Sequence, residues 1–269
     1  MDANFEKIMA EGYVFDMTKY LREGWNLFKK GAGSFIGFTV VFFVIIVILA
    51  FIPFVNFFLI FVEYALLAGI YVFCRNLLNS KDEFSQFFQG FNSFAQIVLF
   101  TLMVILFMAP FLILLFTLVF PFGLFSDLIS GNIDPQEFGE EFSLSLEGKL
   151  STIVWVYAAL IIAATYISVS YSFTMAIIVD KKVGFWEAME TSRRTIAKHF
   201  WGFLAMYLLL GIIVSVGTVI TCGLGLLVAT PFMYTVIFSA YDDVLCDPAE
   251  VNDQNLEQFG KPEEDSMTE

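Results

Sequence analysis

The residue of this sequence best placed to do chemistry is Glu63, in the stretch FLIFVEYALLAG (residues 58–69). A carboxyl group inside an apolar run can relay a proton or hold a polar solute, and its insertion into hydrocarbon costs about 2.5–3.5 kcal/mol. Arg75 lies twelve positions further on, so at about 1.5 Å per residue of helix Glu63 falls some 18 Å from that charge, near the middle of a bilayer. The run TIVWVYAALIIAATYISVSYSF (residues 152–173) supplies polar groups at comparable depth. Of these, Thr165, Tyr166 and Ser168 could join Glu63 in a seam between two spans, with Ala158, Ala159, Ala163 and Ala164 allowing close helix approach. Such a seam has two readings: a path for a proton or small solute, or interhelical glue around one tolerated carboxylate.

Other reactive side chains are sparse. The single histidine, His199, stands beside Lys198 at the foot of an apolar run, with no second metal ligand within helical reach, and reads as a packing residue. Cys74, Cys222 and Cys246 are scattered, with no paired spacing for a disulfide framework or a thiolate metal site. Phosphate-binding loops, serine elbows and carboxylate–histidine clusters are absent from the sequence. The expectation is a protein that is not an enzyme and needs no metal or cofactor. Lys181, Lys182, Arg193, Arg194 and Lys198 form a basic cluster suited to anionic lipid headgroups, at about 1 kcal/mol per charge near a membrane surface. The same residues also serve ordinary topology determination.

The elements that must position these residues are membrane spans. Of 269 residues, 58% are hydrophobic and 34 are phenylalanine, against about 45–50% apolar usage in soluble domains. Residues 31–62, 84–126, 150–179 and 200–241 contain no charged residue and no histidine, and about 20 apolar residues suffice to cross a bilayer core. Breakers divide these runs into six expected spans, at about 34–52, 55–75, 95–120, 151–179, 201–220 and 224–242. Pro53 with Asn56 turns the first pair, and Gly223 with Gly225 the last. Pro110 and Pro121 make the third run either one kinked span or a span followed by a re-entrant piece. Gly211, Ser215 and Gly217 read as helix-packing residues of the fifth span.

In the six-span arrangement every lysine and arginine except Lys149 falls on one side. The positive-inside rule then puts both termini in the cytoplasm and the acidic segment 127–149 outside as a loop. No removable signal peptide is expected. The formal charge of −13 comes mostly from that loop and from the last 28 residues, which hold ten acids and one lysine, so nucleic acid is excluded as a partner. Membrane lipids, and other membrane proteins, remain.

Three amphipathic stretches precede span pairs, at about 15–30, 83–93 and 184–200. In the last, GFWEAMETSRRTIAKHFWGF, Phe185, Trp186, Met189, Ile196, Ala197 and Phe200 form one stripe while Glu187, Thr191, Arg194, Thr195 and Lys198 face away. Each reads as a helix lying in the membrane interface. The fold class expected is therefore an all-α integral membrane protein of three repeated units, each an interfacial helix followed by two antiparallel spans, related by an axis along the membrane normal. An N-terminal segment (1–14) precedes the membrane domain (15–246), and a disordered acidic tail (247–269) follows it.

Asp180, Trp186, Glu187, Ala188, Ser192 and Phe200, followed by Gly223, Gly225, Pro231 and Tyr241, form a pattern that resembles uncharacterised bacterial six-span proteins related to the membrane domain of glycerophosphoryl diester phosphodiesterases. It covers the last third of the chain. The resemblance implies a bacterial cytoplasmic membrane and no activity, because the phosphodiesterase domain of those relatives has no counterpart here. The expected function is a non-enzymatic membrane scaffold or accessory module. Transport through Glu63 is the alternative, and lipid modification the third.

Overall fold

A computed structural model describes residues 3–246 except 53, 54, 121 and 133. The described residues contain helices and no strand: α1 (Ala3–Glu11), α2 (Met17–Lys30), α3 (Ala32–Ala50), α4 (Asn56–Leu78), the 3₁₀ helix η1 (Phe84–Ser93), α5 (Phe94–Val119), α6 (Phe122–Ser130), α7 (Pro135–Ser170), α8 (Thr174–Lys181), α9 (Phe185–Ala197), α10 (Phe200–Ile220) and α11 (Leu226–Leu245). Five stretches are long and apolar enough to cross a membrane, at Ala32–Ala50, Phe58–Leu78, Phe84–Val119, Glu137–Lys181 and Phe200–Ile220. The expected sixth coincides with α11, which has 20 residues but carries Asp242 and Asp243 in its last turn and is less apolar than those five.

Several expected boundaries change. Segment 127–149 is not a loop, because α6 and the first turns of α7 occupy most of it. Asp134 in extended conformation followed by Pro135 at the first helical position starts α7, an arrangement in which the proline nitrogen has no hydrogen to leave unpaired. The α7 helix then runs for 36 residues, about 54 Å and so longer than a bilayer core is thick. The fourth span is also broken, at Tyr171–Phe173, so that residues 174–181 form the separate helix α8. The third span is one helix that continues through Pro110 and ends at Val119, while Pro121 and the proposed acidic tail lie outside the described residues.

Most fully buried side chains lie at the end of the bundle where the lysines and arginines lie. Helices α3, α5 and α10 bury residues only in their first halves: Phe35, Phe38 and Thr39; Ile97, Phe100 and Thr101; Phe203, Met206 and Leu210. Helices α4 and α11, running back, bury their last halves, and α7 buries only Val169 and Ser170. The apolar residues of the opposite halves, such as Val47, Phe58, Ile113, Ile162 and Val219, are exposed. Exposed aliphatic and aromatic surface of this kind is what hydrocarbon solvates.

Each amphipathic element lies on a different returning helix: α2 on α11, η1 on α4 and α9 on α8. Small residues set these crossings. A Cβ on Gly24 of α2 would stand 2.6 Å from the Val236 Cα of α11, and one on Gly90 of η1 would stand 2.7 Å from the Gly69 amide nitrogen of α4. Gly69 in turn faces the Phe87 carbonyl. The backbones therefore touch, and Phe87 fits between Phe73 and Phe38, stacked at centroid distances of 4.1 and 4.3 Å. This close approach accounts for the tighter 3₁₀ winding where an α-helix is expected. Gly211 and Gly217, by contrast, have open space where a Cβ would point, so the packing role expected of them in the fifth span is not theirs. Their neighbour Gly225 closes the α10–α11 turn, where Cys222 and Gly223 take positive φ and the Gly225 amide donates to the Thr221 hydroxyl at 2.5 Å.

Candidate functional site

The charged end of the bundle is fastened by one side chain. Arg75, in the last turn of α4, makes a two-pronged contact with Asp180 of α8, Nε to Oδ1 at 2.9 Å and Nη2 to Oδ2 at 2.8 Å. It also donates to Asp242 of α11 at 2.5 Å and to the Cys246 sulfur at 2.9 Å. Planar guanidinium suits this geometry, since its donors match the spacing of carboxylate oxygens. The wholly buried Tyr241 donates its hydroxyl to Asp180 at 2.8 Å, and the guanidinium also lies 5.1 Å from the centre of the Phe238 ring. Three returning helices are thus tied through one arginine, with 16% of the Arg75 side chain and 20% of the Asp180 side chain left exposed.

A second device holds the break in the fourth span. Where α7 ends and α8 begins, backbone groups lose their helical partners. The Ser192 hydroxyl of α9 replaces both, donating to the Ser170 carbonyl at 2.9 Å and accepting from the Phe173 amide at 3.2 Å. The buried face of α9 is therefore Ala188, Met189, Thr191, Ser192, Thr195 and Ile196, rotated from the expected apolar stripe, and Trp186 and Ala197 point outward. A helix that supplies hydroxyls to a broken neighbour must turn its serine and threonine face inward, whatever its most apolar face is.

Between α4, η1 and α8, next to Arg75, lies a cavity of about 650 Å³. Its polar lining is Asn76 of α4, Gln89, Asn92 and Ser93 of η1, Gln96 of α5, and Lys182, with Arg75 and Asp180 beside them. Tyr71, Val72, Ile178, Val179 and Val183 complete the wall. The Gln96 carbonyl oxygen accepts from the Phe185 amide at 2.9 Å, which fixes its amide group and caps the start of α9. Lys182 takes positive φ at the end of α8 and stands at the rim.

The residues expected to form a path are not brought together. Glu63 is half-buried on α4, within electrostatic reach of Tyr64 and of Tyr234 on α11. Thr165 and Ser168 instead line a shallow groove with Leu204, Tyr207 and Leu208 of α10, and Tyr166 is largely exposed against Phe200. The reason is the packing order: α7 lies chiefly on α5, with smaller contacts to α6, α9 and α10, and the second and fourth spans meet mainly through α8.

Most of the basic cluster has internal duties. Lys181 donates to the Leu245 carbonyl at 3.2 Å and Lys198 to the Met9 carbonyl at 2.8 Å. Arg193 and Arg194 both bind Glu190, with their closest contacts at 2.8 and 2.6 Å, and these hydrogen bonds hold the Glu190 carboxyl below the usual glutamate range. At the other end of the same layer, Lys19 of α2 pairs with Asp243, which raises its pKa. His199 has the packing role expected of it, donating through Nε2 to the Tyr13 carbonyl at 2.8 Å with its ring against Tyr13 and Phe15. Tyr13 binds the Thr195 carbonyl at 3.0 Å, so the N-terminal segment, with helix α1, is docked on α9. Among the described residues no group of three or more histidine, cysteine, aspartate or glutamate side chains could hold a metal ion.

Sequence reasoning missed Arg75 and Asp180 as a pair, having read one as a topology marker and the other as part of a family pattern. No protein family, curated protein or solved structure matches the chain.

Proposed function

We propose that the chain is a non-enzymatic membrane module, a scaffold or accessory that binds lipids or other membrane proteins at its charged end. The observation that carries this reading is the polar cavity beside Arg75, set in the most tightly packed layer of the protein while the remaining helix surface is apolar and exposed. A rigid polar recess at the edge of a hydrocarbon-facing bundle is suited to hold the polar part of a molecule whose remainder lies in the membrane.

In this reading α11 is the sixth span and the charged end faces the cytoplasm, since the basic residues gather there. Three units run in order, α2–α3–α4, η1–α5–α7/α8 and α9–α10–α11. Their support is the packing order: the amphipathic element of each unit lies on the returning helix of the unit before it, and α2 of the first closes the ring on α11 of the third. The returning helices contribute Arg75, Asp180 and Asp242 respectively. The resemblance of the last third to bacterial six-span proteins favours a bacterial cytoplasmic membrane.

The test is native mass spectrometry of protein extracted in its own membrane lipids. A stoichiometric lipid or partner protein retained by the parent chain is the expected result, and a chain that arrives bare from every extraction sinks the proposal. Transport through Glu63 predicts something else, a solute or proton flux in vesicles that Glu63→Gln abolishes.

A further inference from the structure

We propose that the cavity between α4, η1 and α8 binds an uncharged polyhydroxyl group, such as a sugar carried on a lipid or free in solution. This rests on the binding-module reading and names its ligand chemistry. The ligand class follows from the polar groups that remain available at the cavity. Arg75 is engaged by Asp180 and Asp242, and Asp180 by Arg75 and Tyr241. The ionic groups beside the cavity thus satisfy one another, leaving Lys182 as the cation best placed to meet an anion, with the carboxylate of Asp180 lining the same cavity. An anionic headgroup gains little from that balance, and a cation would have to displace Arg75.

The neutral lining is a different matter. Among the described residues, Asn76, Gln89, Asn92 and Ser93 make no side-chain hydrogen bond within the chain, and Gln96 uses only its carbonyl oxygen. An amide offers an acceptor and two donors, and a serine hydroxyl offers both roles. Sugar hydroxyls likewise donate and accept, so three free amides, the Ser93 hydroxyl and the Gln96 NH₂ match a polyol without desolvating a charge. Val72, Ile178, Val179 and Val183 give the C–H faces of a ring an apolar wall. The volume of 650 Å³ falls in the range of small-molecule sites, about 300–1,000 Å³. The frame is rigid, because η1 is seated on α4 through Gly69 and Gly90.

The experiment uses full-length protein in nanodiscs of phosphatidylcholine, each doped with one probe: monoglucosyl diacylglycerol, diacylglycerol or phosphatidylserine. Retained lipid is counted by native mass spectrometry, and affinity is read from thermal shifts. The glucolipid is expected to be retained over both others, and Gln89→Ala/Asn92→Ala, two exposed positions outside the Arg75 network, to weaken it roughly tenfold, about 1.4 kcal/mol, with the unliganded melting temperature unchanged. Displacement of the glucolipid by maltose supports the same chemistry and makes free sugar a competent source, whereas resistance to maltose assigns the site to the lipid form. Equal retention of phosphatidylserine, or a double variant that binds glucolipid like the parent, overturns the inference. If phosphatidylserine or a partner protein is retained and glucolipid is not, the binding-module reading stands and the sugar inference falls. If nothing is retained from any disc or from native membranes, both fall.

Discussion

Removing the carboxylate at Asp180 tests whether the arginine fastening holds the bundle. Asp180→Ala deletes both prongs of the Arg75 contact and the acceptor of the Tyr241 hydroxyl. Breaking a fully buried ion pair costs about 3–5 kcal/mol, but here both side chains keep some solvent access and Arg75 retains Asp242, so about half of that applies. Tyr241 is wholly buried, and stranding its hydroxyl adds about 1–3 kcal/mol. The expected loss is roughly 2.5–5.5 kcal/mol of unfolding free energy, measured by denaturant titration in mixed micelles with tryptophan fluorescence. Arg75→Met leaves Asp180 and Asp242 facing each other without their cation and should cost a similar amount. Arg75→Met/Asp180→Leu, which replaces the pair with apolar groups, should cost at least 1 kcal/mol less than Arg75→Met and Asp180→Leu measured singly and added together, since an apolar substitute for an ion pair is often nearly neutral. An Asp180→Ala loss below about 0.5 kcal/mol, or strict additivity in the cycle, would refute the reasoning.

Three further outcomes are expected from the packing. Gly90→Ala places a methyl group on the backbone of Ala65 and Gly69 and should destabilise by about 2–3 kcal/mol or prevent folding, whereas Gly211→Ala, with open space around it, should be neutral or stabilising by up to about 1 kcal/mol in the same titration. Ser192→Ala orphans the Ser170 carbonyl and the Phe173 amide; we expect a loss of about 1–3 kcal/mol and faster hydrogen exchange at the Phe173 amide, and unchanged exchange there would contradict the bridging role. The Glu190 carboxyl titrates below its unfolded value because Arg193 and Arg194 bond to it, so its contribution is complete above about pH 4.3 and is lost as pH falls through the lower folded value. The pair is half exposed, so the slope amounts to less than about 1 kcal/mol, and Glu190→Gln should remove it from a melting series run between pH 6 and 3.

How far the sequence reaches depends on the distance over which each signal acts. Uncharged runs and their breakers located α3, α4, α5 and α10 to within about three residues, because a bilayer demands length and apolarity from each span by itself, but they missed both the early start and the internal break of the fourth. Helix α2 was legible for the same local reason, through its amphipathic period, whereas its Asp16 cap, whose side chain accepts from the Lys19 amide, emerges only from the structure. The start of α7 was missed: Asp134-Pro135 is a helix-starting pair, but the acidity of Glu137, Glu140 and Glu141 made the segment read as a loop. The site itself was not. Arg75 and Asp180 are 105 positions apart, and nothing in either neighbourhood announces the other. Gly90 looks like any turn glycine until Gly69 is placed against it. The inward face of α9 depends on a break in another helix, so no periodicity within residues 184–200 could have selected Ser192.

The confinement of buried side chains to one end should make this protein tolerant of the thickness of the bilayer around it. Helices α3, α5 and α10 bury no side chain beyond their first halves, so in a thicker or thinner bilayer they should change tilt with little loss of buried surface. Hydrophobic mismatch is absorbed on the loosely packed side, while the layer that contains Arg75 and the cavity keeps its geometry. Binding at the charged end should then be the same in lipids with short and long acyl chains, although the far ends of the same helices settle at different angles.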